Sequence, residues 1–401
     1  MRVVVVGAGF AGACAAHVLR ERCGAEVVVL ERAPGPGGML RTLRTPEGLP
    51  YEYGPRVVSV FRGTPDALPF LRRFLELEER AIYQGTRLLP EYPVVPFPVD
   101  RASLRTLPCG EAVERELADV RTGADPTGAR DLREFLEATV GPTLTALAFE
   151  GFNRKFWGRR LEEMPADWGR LRRLDRIAET GDFRLPSVAP HYYPRGGFEP
   201  LFDQLLAGHD VRYATPVLAV EPGPAVVTAD GRLEADLVVA TAPLDALLGH
   251  RFGALEWRGY RTEAEVVEDP DGLGRAPDGI PFAWLYTPWA ATPVCRTTDF
   301  GVIHHGPAHD GPRVVLREIA GGGEPMYPVW WEDERFARYL AAAAELPGLV
   351  PLGRLGLYKY VTIDSTYAMV ERLLASLDDL LGATPARRLE LLHALRGDWT
   401  N

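Results

Sequence analysis

Glycines with the spacing of a dinucleotide site stand at the start of the chain. Gly7, Gly9 and Gly12 follow an apolar run at residues 3–6, and Glu31 closes a second apolar run. The first glycine permits a tight turn, the second lets the backbone approach a pyrophosphate, and the third lets a helix pack on the strand. We expect Glu31 to accept a hydrogen bond from a ribose hydroxyl. The spacing therefore predicts a dinucleotide-binding site of the Rossmann type.

A glycine pair shortly after Glu31 favours FAD over NAD as the dinucleotide. The chain continues through Arg32 to Gly37 and Gly38, and FAD enzymes use such a pair to bring backbone against the diphosphate and the flavin. A simple turn of proline and glycine explains the residues before the pair but explains the pair less well. We therefore expect Arg32, Gly37 and Gly38 to contact FAD.

The composition is that of a globular protein without a nucleic-acid partner. Hydrophobic residues make up 46% of the 401 residues, and the net charge of −10 argues against binding to a polyanion. The four cysteines lack CxxC spacing, so no disulfide framework is expected. No apolar run reaches the ~18 residues of a membrane span, and no signal sequence precedes the first strand. We expect a cytoplasmic protein that does not bind a membrane.

The histidines do not predict a metal site. His304, His305 and His309 lie close in sequence, but Gly306 and Pro307 interrupt any helix that would align them, and no acidic partner is evident. The chain also lacks the GxSxG motif and the P-loop motif, which argues against the enzyme classes that use them.

The elements around the nucleotide site follow from periodicity. Helical patterns cover residues 67–82 and 131–154, on either side of a proline-rich stretch at 89–99. Short strands at 210–213, 216–220 and 225–228 predict a small meander, with Asp230-Gly231 as a hairpin turn. The further elements are a buried strand at 236–242 that returns to the nucleotide domain, an antiparallel sheet between 260 and 329, and helices at 333–346 and 366–381.

These patterns predict an α/β fold built from three regions. The nucleotide-binding strands require helices on their sheet, and a second domain is expected to cover the flavin. We expect a Rossmann-like FAD-binding domain of residues 1–64, 199–250 and 345–401, a helical domain of residues 65–165, and an antiparallel-sheet substrate domain of residues 166–198 and 251–344.

Several blocks of the sequence resemble the UDP-galactopyranose mutase family, whose flavoenzymes interconvert the pyranose and furanose forms of a nucleotide sugar. The block RFGALEWR at residues 251–258 is the most specific. The others are GFNRKFWGR at 151–159, PRGGF at 194–198, EPMYPV at 324–329 and GRLGLYKY at 353–360. The resemblance spans most of the chain.

This resemblance implies an isomerase that works with reduced FAD. In the family, N5 of the flavin attacks the anomeric carbon of the sugar as the nucleoside diphosphate leaves. The sugar adduct opens, closes again as the furanose and recaptures the diphosphate, without net oxidation. The resemblance also implies a nucleoside-diphosphate hexose as substrate, such as UDP-galactose, which yields galactofuranose, and it implies a homodimer.

The resemblance assigns fixed cations and hydroxyls to the diphosphate. Arg296 matches the family's fixed arginine, and Tyr327 and Tyr360 match its phosphate-binding tyrosines. A second arginine comes from a loop that is mobile in the family, and Arg176 is its nearest match here, with Arg173 as the rival. The resemblance implies that these residues form the catalytic site.

Further residues are assigned to the substrate and to FAD. Trp157 corresponds to a tryptophan of the family's substrate cleft, and Arg354 to an arginine that touches the flavin diphosphate. Phe152 and Phe156 stand at the nucleobase end, where the family has a tyrosine and a glutamine. Stacking on the base is kept, but side-chain polarity is lost.

Other positions depart from the family. Residues 54–59 read Gly-Pro-Arg-Val-Val-Ser, where the family has Gly-Pro-His-Ile-Phe-His close to the flavin, so both histidines are absent. Thr362 replaces an aspartate that helps to position the sugar, although Asp364 lies nearby. These changes predict a different sugar, a different base or both, such as a 6-deoxy or otherwise modified hexose on a UDP or dTDP carrier.

Two other functions remain open at the level of sequence. One is an FAD-dependent oxidoreductase of the amine-oxidase class that acts on a small metabolite, and the other is a non-catalytic protein that binds FAD or a nucleotide sugar. The diphosphate-binding residues favour the mutase over the oxidase, because an uncharged substrate needs no diphosphate clamp. The absent histidines are the main argument for the non-catalytic protein.

Overall fold

The computed structural model describes residues 1–53, 57–59, 67–123, 126–171, 174, 177, 179–185, 190–269 and 272–397. Its strands are β1 Arg2–Val6, β2 Glu26–Leu30, β3 Thr42–Arg44, β4 Pro50–Glu52, β5 Leu77–Arg80, β6 Gln84–Thr86, β7 Val95–Pro96, β8 His191–Pro194, β9 Asp210–Arg212, β10 Ala219–Glu221, β11 Ala225–Thr228, β12 Gly231–Glu234, β13 Leu237–Ala240, β14 Trp257–Arg258, β15 Tyr260–Val267, β16 Trp284–Tyr286, β17 Val294–Asp299, β18 Arg313–Ala320, β19 Tyr327–Pro328 and β20 Leu349–Pro351. Its α-helices are α1 Phe10–Cys23, α2 Leu68–Leu71, α3 Arg101–Leu104, α4 Gly110–Gly123, α5 Leu132–Val140, α6 Pro142–Leu144, α7 Gly151–Trp157, α8 Ala166–Leu171, α9 Glu199–Leu205, α10 Leu244–Leu247, α11 Phe300–His305, α12 Asp333–Ala344, α13 Gly353–Gly356, α14 Ile363–Ala375, α15 Leu377–Gly382 and α16 Pro385–Arg396.

A parallel five-stranded sheet, in the order β20-β13-β1-β2-β9, forms the first core. All residues of β1 and β2 except the first of each strand are buried, as expected for strands that are covered on both faces. α1 packs beside this sheet with buried alanines along its length. Because Leu237 of β13 lies opposite Val3 of β1, the predicted return of the chain to this sheet is confirmed. The fold of this part is Rossmann-like.

The predicted meander is confirmed in part. β10, β11 and β12 form an antiparallel three-stranded sheet, and Gly231, with a φ of 125°, begins its last strand. The predicted strand at residues 210–213 is present as β9, but its place in the meander is wrong, because β9 pairs in parallel with β2 instead. Alternation in so short a segment does not specify the partner strand. At this sheet edge Asp210 and Arg212 are exposed and form an ion pair of 2.7 Å with each other.

A six-stranded sheet, in the order β15-β18-β17-β16-β6-β7, forms the second core. β15 to β18 pair in antiparallel fashion, which confirms the predicted antiparallel sheet. β6 and β7 complete this sheet, although they come from the range 65–165 for which helices are predicted. The proline-rich stretch therefore crosses to the second core, and the division into three domains remains a prediction.

The helical prediction for residues 67–82 is wrong beyond its first turn. After α2 the chain enters β5, which pairs antiparallel with β8. β5 reads Leu-Glu-Glu-Arg, so it lacks the apolar stripe that would hold a helix on a core, and strand pairing satisfies its backbone instead. The pattern at 131–154 is confirmed by α5, α6, a π-helical stretch at Thr145–Glu150 and α7. Within the described ranges, no helix combines the length and apolar content needed to cross a bilayer.

The contact between α1 and the turn that follows β1 generates the first prediction. A Cβ on Gly12 would lie 1.9 Å from the carbonyl oxygen of Gly7, so Gly12→Ala must move backbone. We expect a loss of unfolding free energy on the order of 3 kcal/mol, measured by urea unfolding, together with reduced flavin retention on purification. Gly382→Ala is the control, because its Cβ would meet open space. Equal stability of the two variants would contradict the close approach.

Candidate cofactor and substrate site

Two glycine segments meet at the carboxyl end of β1. Gly9 forms an isolated bridge with Gly37, whose N–H donates to the carbonyl of Ala8 over 3.0 Å. A Cβ on Gly38 would lie 3.1 Å from the Cα of Gly9, so the two backbones leave little room for side chains. Gly9 caps α1 without a side-chain hydrogen bond, and the first amides of a helix attract phosphate. This backbone cradle fits the diphosphate of FAD.

Glu31 lies beside this cradle, at the end of β2. Its carboxylate accepts the N–H of Ala8 over 2.7 Å and that of Ala33 over 2.8 Å. Since a carboxylate has about four lone-pair sites, these bonds orient it and leave acceptors for a ribose hydroxyl. The neighbouring Arg32 side chain is 60% exposed and lies 3.3 Å from Glu324. The assignment of both residues to FAD remains a prediction.

Arg354 links the glycine cradle to the tyrosines predicted to bind phosphate. Its helix, α13, begins against α1, since a Cβ on Gly353 would lie 2.6 Å from Cβ of Ala11. The guanidinium donates to the carbonyl of Met326 over 3.3 Å and to that of Val361 over 2.6 Å. It also lies 4.5 Å from the centre of the Tyr360 ring. Arg354 therefore stands between the two regions that the family assigns to FAD and to substrate.

The predicted tyrosine pair is brought together. The rings of Tyr327 and Tyr360 are nearly parallel, at 11°, with centroids 5.8 Å apart. The nearby Tyr358 has a φ of 48°, which is unusual for a residue other than glycine. Its hydroxyl accepts the N–H of Val329 over 3.1 Å and donates to the carbonyl of Glu256. These bonds hold a strained backbone directly before the segment that carries Tyr360.

Arg296 lies on β17 and is held by a buried carboxylate. Glu318 of β18 is its cross-strand neighbour, and their side chains form a bidentate ion pair with one N–O distance of 3.0 Å. The Arg296 side chain is 13% exposed, whereas that of Glu318 is fully buried. A third donor of the guanidinium reaches the hydroxyl of Tyr286 over 3.2 Å. Because the register shifts between Val294 and Arg296, a local bulge helps to aim this side chain.

The environment keeps these groups in defined protonation states. Burial alone would lower the pKa of the Arg296 guanidinium, but the Glu318 carboxylate, together with Tyr286 and Tyr260, raises that pKa well above its ordinary value. Burial raises the pKa of the Tyr286 hydroxyl, so it stays protonated. The bonds to Glu318 and Tyr286 use three of the five N–H donors of Arg296. The remaining donors are available for an anionic ligand.

The aromatic residues assigned to the base share one helix, α7. The rings of Phe152 and Phe156 are nearly parallel, at 13°, with centroids 5.6 Å apart. Phe156 also packs edge-on against Tyr327, with centroids 5.1 Å apart, while Trp157 packs against Trp168 at 5.2 Å. The π-helical stretch at Thr145–Glu150 leads directly into α7, and such stretches are frequent at functional sites. Helix α7 therefore joins the tyrosine pair to the predicted nucleobase end.

The other predicted site residues lie either outside the described ranges or at the start of α14. Arg176, its rival Arg173 and the segment 54–56 lie outside the described residues. The Thr362 side chain caps α14 by accepting the N–H of Ser365 over 3.4 Å. Asp364 is fully buried in the first turn of the same helix. Thr362 thus has a structural use at the position of the family's aspartate, and its contact with a sugar remains a prediction.

Ser59, at a position where the family has a histidine, is hydrogen-bonded to a histidine from strand β8. The hydroxyl of Ser59 lies 2.7 Å from Nδ1 of His191, whose Nε2 lies 3.0 Å from the carbonyl of Leu185. Burial lowers the pKa of His191, which favours the neutral ring. In that form Nε2 donates a hydrogen bond to the carbonyl of Leu185, and Nδ1 accepts a hydrogen bond from the Ser59 hydroxyl. Both side chains are buried. The sequence pattern did not indicate this imidazole, because β8 is distant from Ser59 along the chain.

The histidine group near residue 304 has an acidic partner that the sequence pattern did not reveal. Nε2 of His304 lies 3.0 Å from the buried carboxylate of Glu52, which also accepts the hydroxyl of Tyr193. The expectation that no acidic partner is near is therefore wrong. In the part of the chain that the structure describes, no three His, Cys, Asp or Glu side chains are grouped as metal ligands.

Glu318 and Tyr286 are the main site residues that sequence reasoning missed. Neither belongs to a motif, and each lies opposite Arg296 only through strand pairing. The signal that would have found them is register. Once β16, β17 and β18 are aligned, directly opposed residues share one face of the sheet.

The Arg296 and Glu318 pair generates the second prediction. Arg296→Met leaves a fully buried carboxylate without its cation, and we expect a loss of roughly 3–5 kcal/mol in unfolding free energy. Adding Glu318→Leu should restore most of that loss, because an apolar pair avoids desolvation of charge. Urea unfolding of the two single variants and the double variant measures the coupling. Strictly additive effects would argue against the pair.

Comparison with known proteins identifies relatives along nearly the whole chain. Residues 147–360 match the family model for UDP-galactopyranose mutase, and residues 5–74 match that for an NAD(P)-binding Rossmann-like domain. UDP-galactopyranose mutase from Mycoplasma pneumoniae is 23% identical over 91% of this chain and 93% of that protein. The crystal structure of a reduced UDP-galactopyranose mutase has a TM-score of 0.74 at 15% identity, covering 99% of each chain. A putrescine oxidase variant shares the fold with a TM-score of 0.58 at 17% identity, over 94% of this chain and 99% of its own.

The first family model covers more than half of the 401 residues. The matched range includes Arg296, Tyr327 and Tyr360, so the residues that suggested the resemblance lie inside it. The predicted resemblance, the FAD cofactor and the isomerase class are confirmed. The likeness to the oxidase is one of fold. The chain therefore belongs to the UDP-galactopyranose mutase family, as an isomerase that uses FAD.

Proposed function

We propose that this protein interconverts the pyranose and furanose forms of a UDP-linked hexose with reduced FAD. The observation that carries the proposal is Arg296, a guanidinium fixed by buried Glu318 on the sheet that also carries Tyr286. A cation in this position suits a diphosphate, because fixed donors stabilise charge that develops on a leaving group. Family membership supplies the reaction class.

In this proposal three side chains bind the departing diphosphate. Arg296 donates to it from the donors that Glu318 and Tyr286 leave available, and Tyr327 and Tyr360 donate their hydroxyls. Arg354, 4.5 Å from the Tyr360 ring and 5.6 Å from the Tyr327 ring, adds positive potential beside the pair. Charge-assisted bonds of this kind are the strongest that side chains make to phosphate.

The cofactor and the protein side chains have different roles in the proposed reaction. Bound in its reduced form, FAD supplies a nucleophilic nitrogen, N5, for the anomeric carbon, and no net oxidation results. The chain's own residues hold the diphosphate near the sugar after it leaves, so that recapture competes with loss to water. The glycine cradle at Gly9, Gly37 and Gly38 and the carboxylate of Glu31 would hold the cofactor.

The sugar and the base are the less specified parts of the substrate. Phe152 and Phe156 offer aromatic faces without polar atoms, which favours stacking over specific hydrogen bonds to a base. Trp157, Thr362 and Asp364 remain proposed contacts of the substrate cleft, and Arg176, with Arg173 as its rival, remains the proposed second cation. We therefore propose a modified or 6-deoxy hexose alongside galactose as candidate sugars, with dTDP as the alternative carrier.

An anaerobic assay tests the proposal. Purified protein, reduced with dithionite, is incubated with a panel of UDP- and dTDP-hexopyranoses, and furanose formation is followed by chromatography. The oxidised protein runs in parallel as the control. Furanose that forms only with reduced flavin supports the mutase and names its sugar. Flavin reduction by a small metabolite, without isomerisation of any sugar in the panel, would favour the oxidoreductase instead.

The diphosphate assignment generates the third prediction. Arg296→Lys keeps a positive charge but loses the planar fork that matches Glu318 and a phosphate together. We expect the isomerisation rate to fall on the order of 100-fold, with flavin content unchanged. Arg317→Lys is the matched control, because Arg317 is the neighbour of Glu318 on β18 and pairs with exposed Glu265 over 2.7 Å. Equal activity of the two variants would overturn the assignment of Arg296.

We also propose a cytoplasmic location and the three-domain division, both predicted from the sequence, and a homodimer, which the family resemblance implies. Sedimentation velocity tests the dimer at micromolar concentration, and a monomer there would contradict it. Limited proteolysis tests the domain boundaries, since cleavage is expected near their ends rather than within a sheet.

A further inference from the structure

Lys155 ties helix α7 to the hairpin that carries Arg296. Its ammonium donates to three backbone carbonyls, those of Thr287 over 2.6 Å, Trp289 over 3.0 Å and Val294 over 2.8 Å. All three belong to the hairpin formed by β16, β17 and their connection. An ammonium has three N–H donors, so this hairpin accounts for all of them.

The two elements also meet at the level of backbone. A Cβ on Gly151, the first residue of α7, would lie 2.3 Å from the carbonyl oxygen of Pro288 and 3.0 Å from the amide nitrogen of Ala290. Gly151 and Lys155 are one helical turn apart and face the same connection. The helix therefore rests on the hairpin at two points, and neither contact involves a residue assigned to a ligand.

Each of these elements carries one end of the proposed ligand site. Helix α7 carries Phe152 and Phe156, whose nearly parallel rings are proposed to stack on the base. The hairpin carries Arg296, which is proposed to bind the diphosphate, and Tyr286, whose hydroxyl accepts a hydrogen bond from Arg296 over 3.2 Å. The distance between the base and the phosphate ends of the site is therefore set by how α7 sits on the hairpin.

The choice of lysine at this point is itself informative. Lys155 is one of only two lysines among 45 basic residues, the other being Lys359. A guanidinium is a planar fork, whereas an ammonium is a compact point that bonds three converging carbonyls. Because carbonyls occupy its donors, Lys155 neither binds a phosphate nor acts as a nucleophile. Burial lowers the pKa of Lys155, which its three carbonyl partners oppose by favouring the charged form.

We propose that Lys155 is a positioning residue that fixes the spacing between the aromatic helix and Arg296, and thereby matches the site to a nucleoside diphosphate. The inference rests on the proposed function. A ligand that reaches both ends gains from their fixed separation, because binding at one end raises the effective concentration at the other. A ligand that reaches only one end gains nothing from it.

The test compares a whole ligand with its fragments on FAD-loaded protein. Lys155→Met should raise the Kd for UDP roughly 10-fold, while the Kd values for uridine and for inorganic pyrophosphate change less than about twofold. Isothermal titration calorimetry measures the Kd for UDP. Competition against UDP measures the Kd values for uridine and for inorganic pyrophosphate. A loss of structure alone would weaken all three ligands together, so this difference separates spacing from general damage.

Two further variants complete the design. Lys155→Arg, which keeps the charge but not the three-point geometry, should fall between the wild type and Lys155→Met in its Kd for UDP. Arg154→Met is the matched control, because Arg154 is the exposed neighbour on the same helix, and it should leave every Kd unchanged. Flavin absorbance and thermal melting report whether each variant is folded and loaded.

The outcomes separate the two proposals. If wild-type protein binds UDP and Lys155→Met binds it equally well, the spacing proposal is overturned and the proposed function stands. If Lys155→Met melts early or loses flavin, Lys155→Arg becomes the deciding variant, and a wild-type affinity of that variant for UDP would overturn the spacing proposal. If the wild type binds neither UDP nor its fragments, the proposed function fails, and the spacing proposal fails with it.

Discussion

The buried pair of Arg296 and Glu318 is the constraint on which the rest of the site depends. Removing two charges from water costs several kcal/mol per ion, and only close geometry offsets that cost. The six-stranded sheet must therefore keep β17 and β18 in one register, with Tyr286 of β16 on the other side of the guanidinium. A small slip of this register would expose or separate the charges. The pair thus specifies one arrangement of the sheet as well as one direction for Arg296.

A second set of contacts connects this sheet to the cofactor side. Arg354 lies at a helix start packed on α1, and its guanidinium reaches the carbonyl of Met326, directly before Tyr327. The strained backbone at Tyr358 is held by bonds to residues next to β14 and β19. The cofactor cradle and the tyrosine pair are therefore joined by close packing of α13 on α1 and by short polar contacts of Arg354, rather than by a flexible connection. Such preorganisation suits a reaction in which the leaving group must return.

The parts of this structure that sequence could predict are those that depend on neighbours in the chain. The glycine cradle, the strand after it and the helical run to α7 follow from local spacing and periodicity, and the family blocks named Arg296 and both tyrosines. Glu318, His191 and the contacts of Lys155 depend on pairing between distant segments, which no local pattern records. The same limit explains why the local pattern predicts a helix at β5 and a place in the meander for β9. In both cases the partner strand lies far away in the sequence, and its pairing outweighs a weak local preference. The roles assigned to residues 54–56 and to Arg173 and Arg176 remain predictions.

Both lysines of the chain donate to backbone carbonyls, and this affects chemical modification of the protein. Lys359 is 5% exposed and donates to the carbonyl of Arg396 over 2.8 Å, while Lys155 donates to three carbonyls. Every other basic side chain apart from histidine is an arginine, so acylating agents, crosslinkers and conjugation enzymes that require a side-chain amine meet none that is freely exposed. Acylation of Lys155 would have to break its bonds to the hairpin first. The rate of that modification therefore reports local opening between α7 and β17, without any introduced probe.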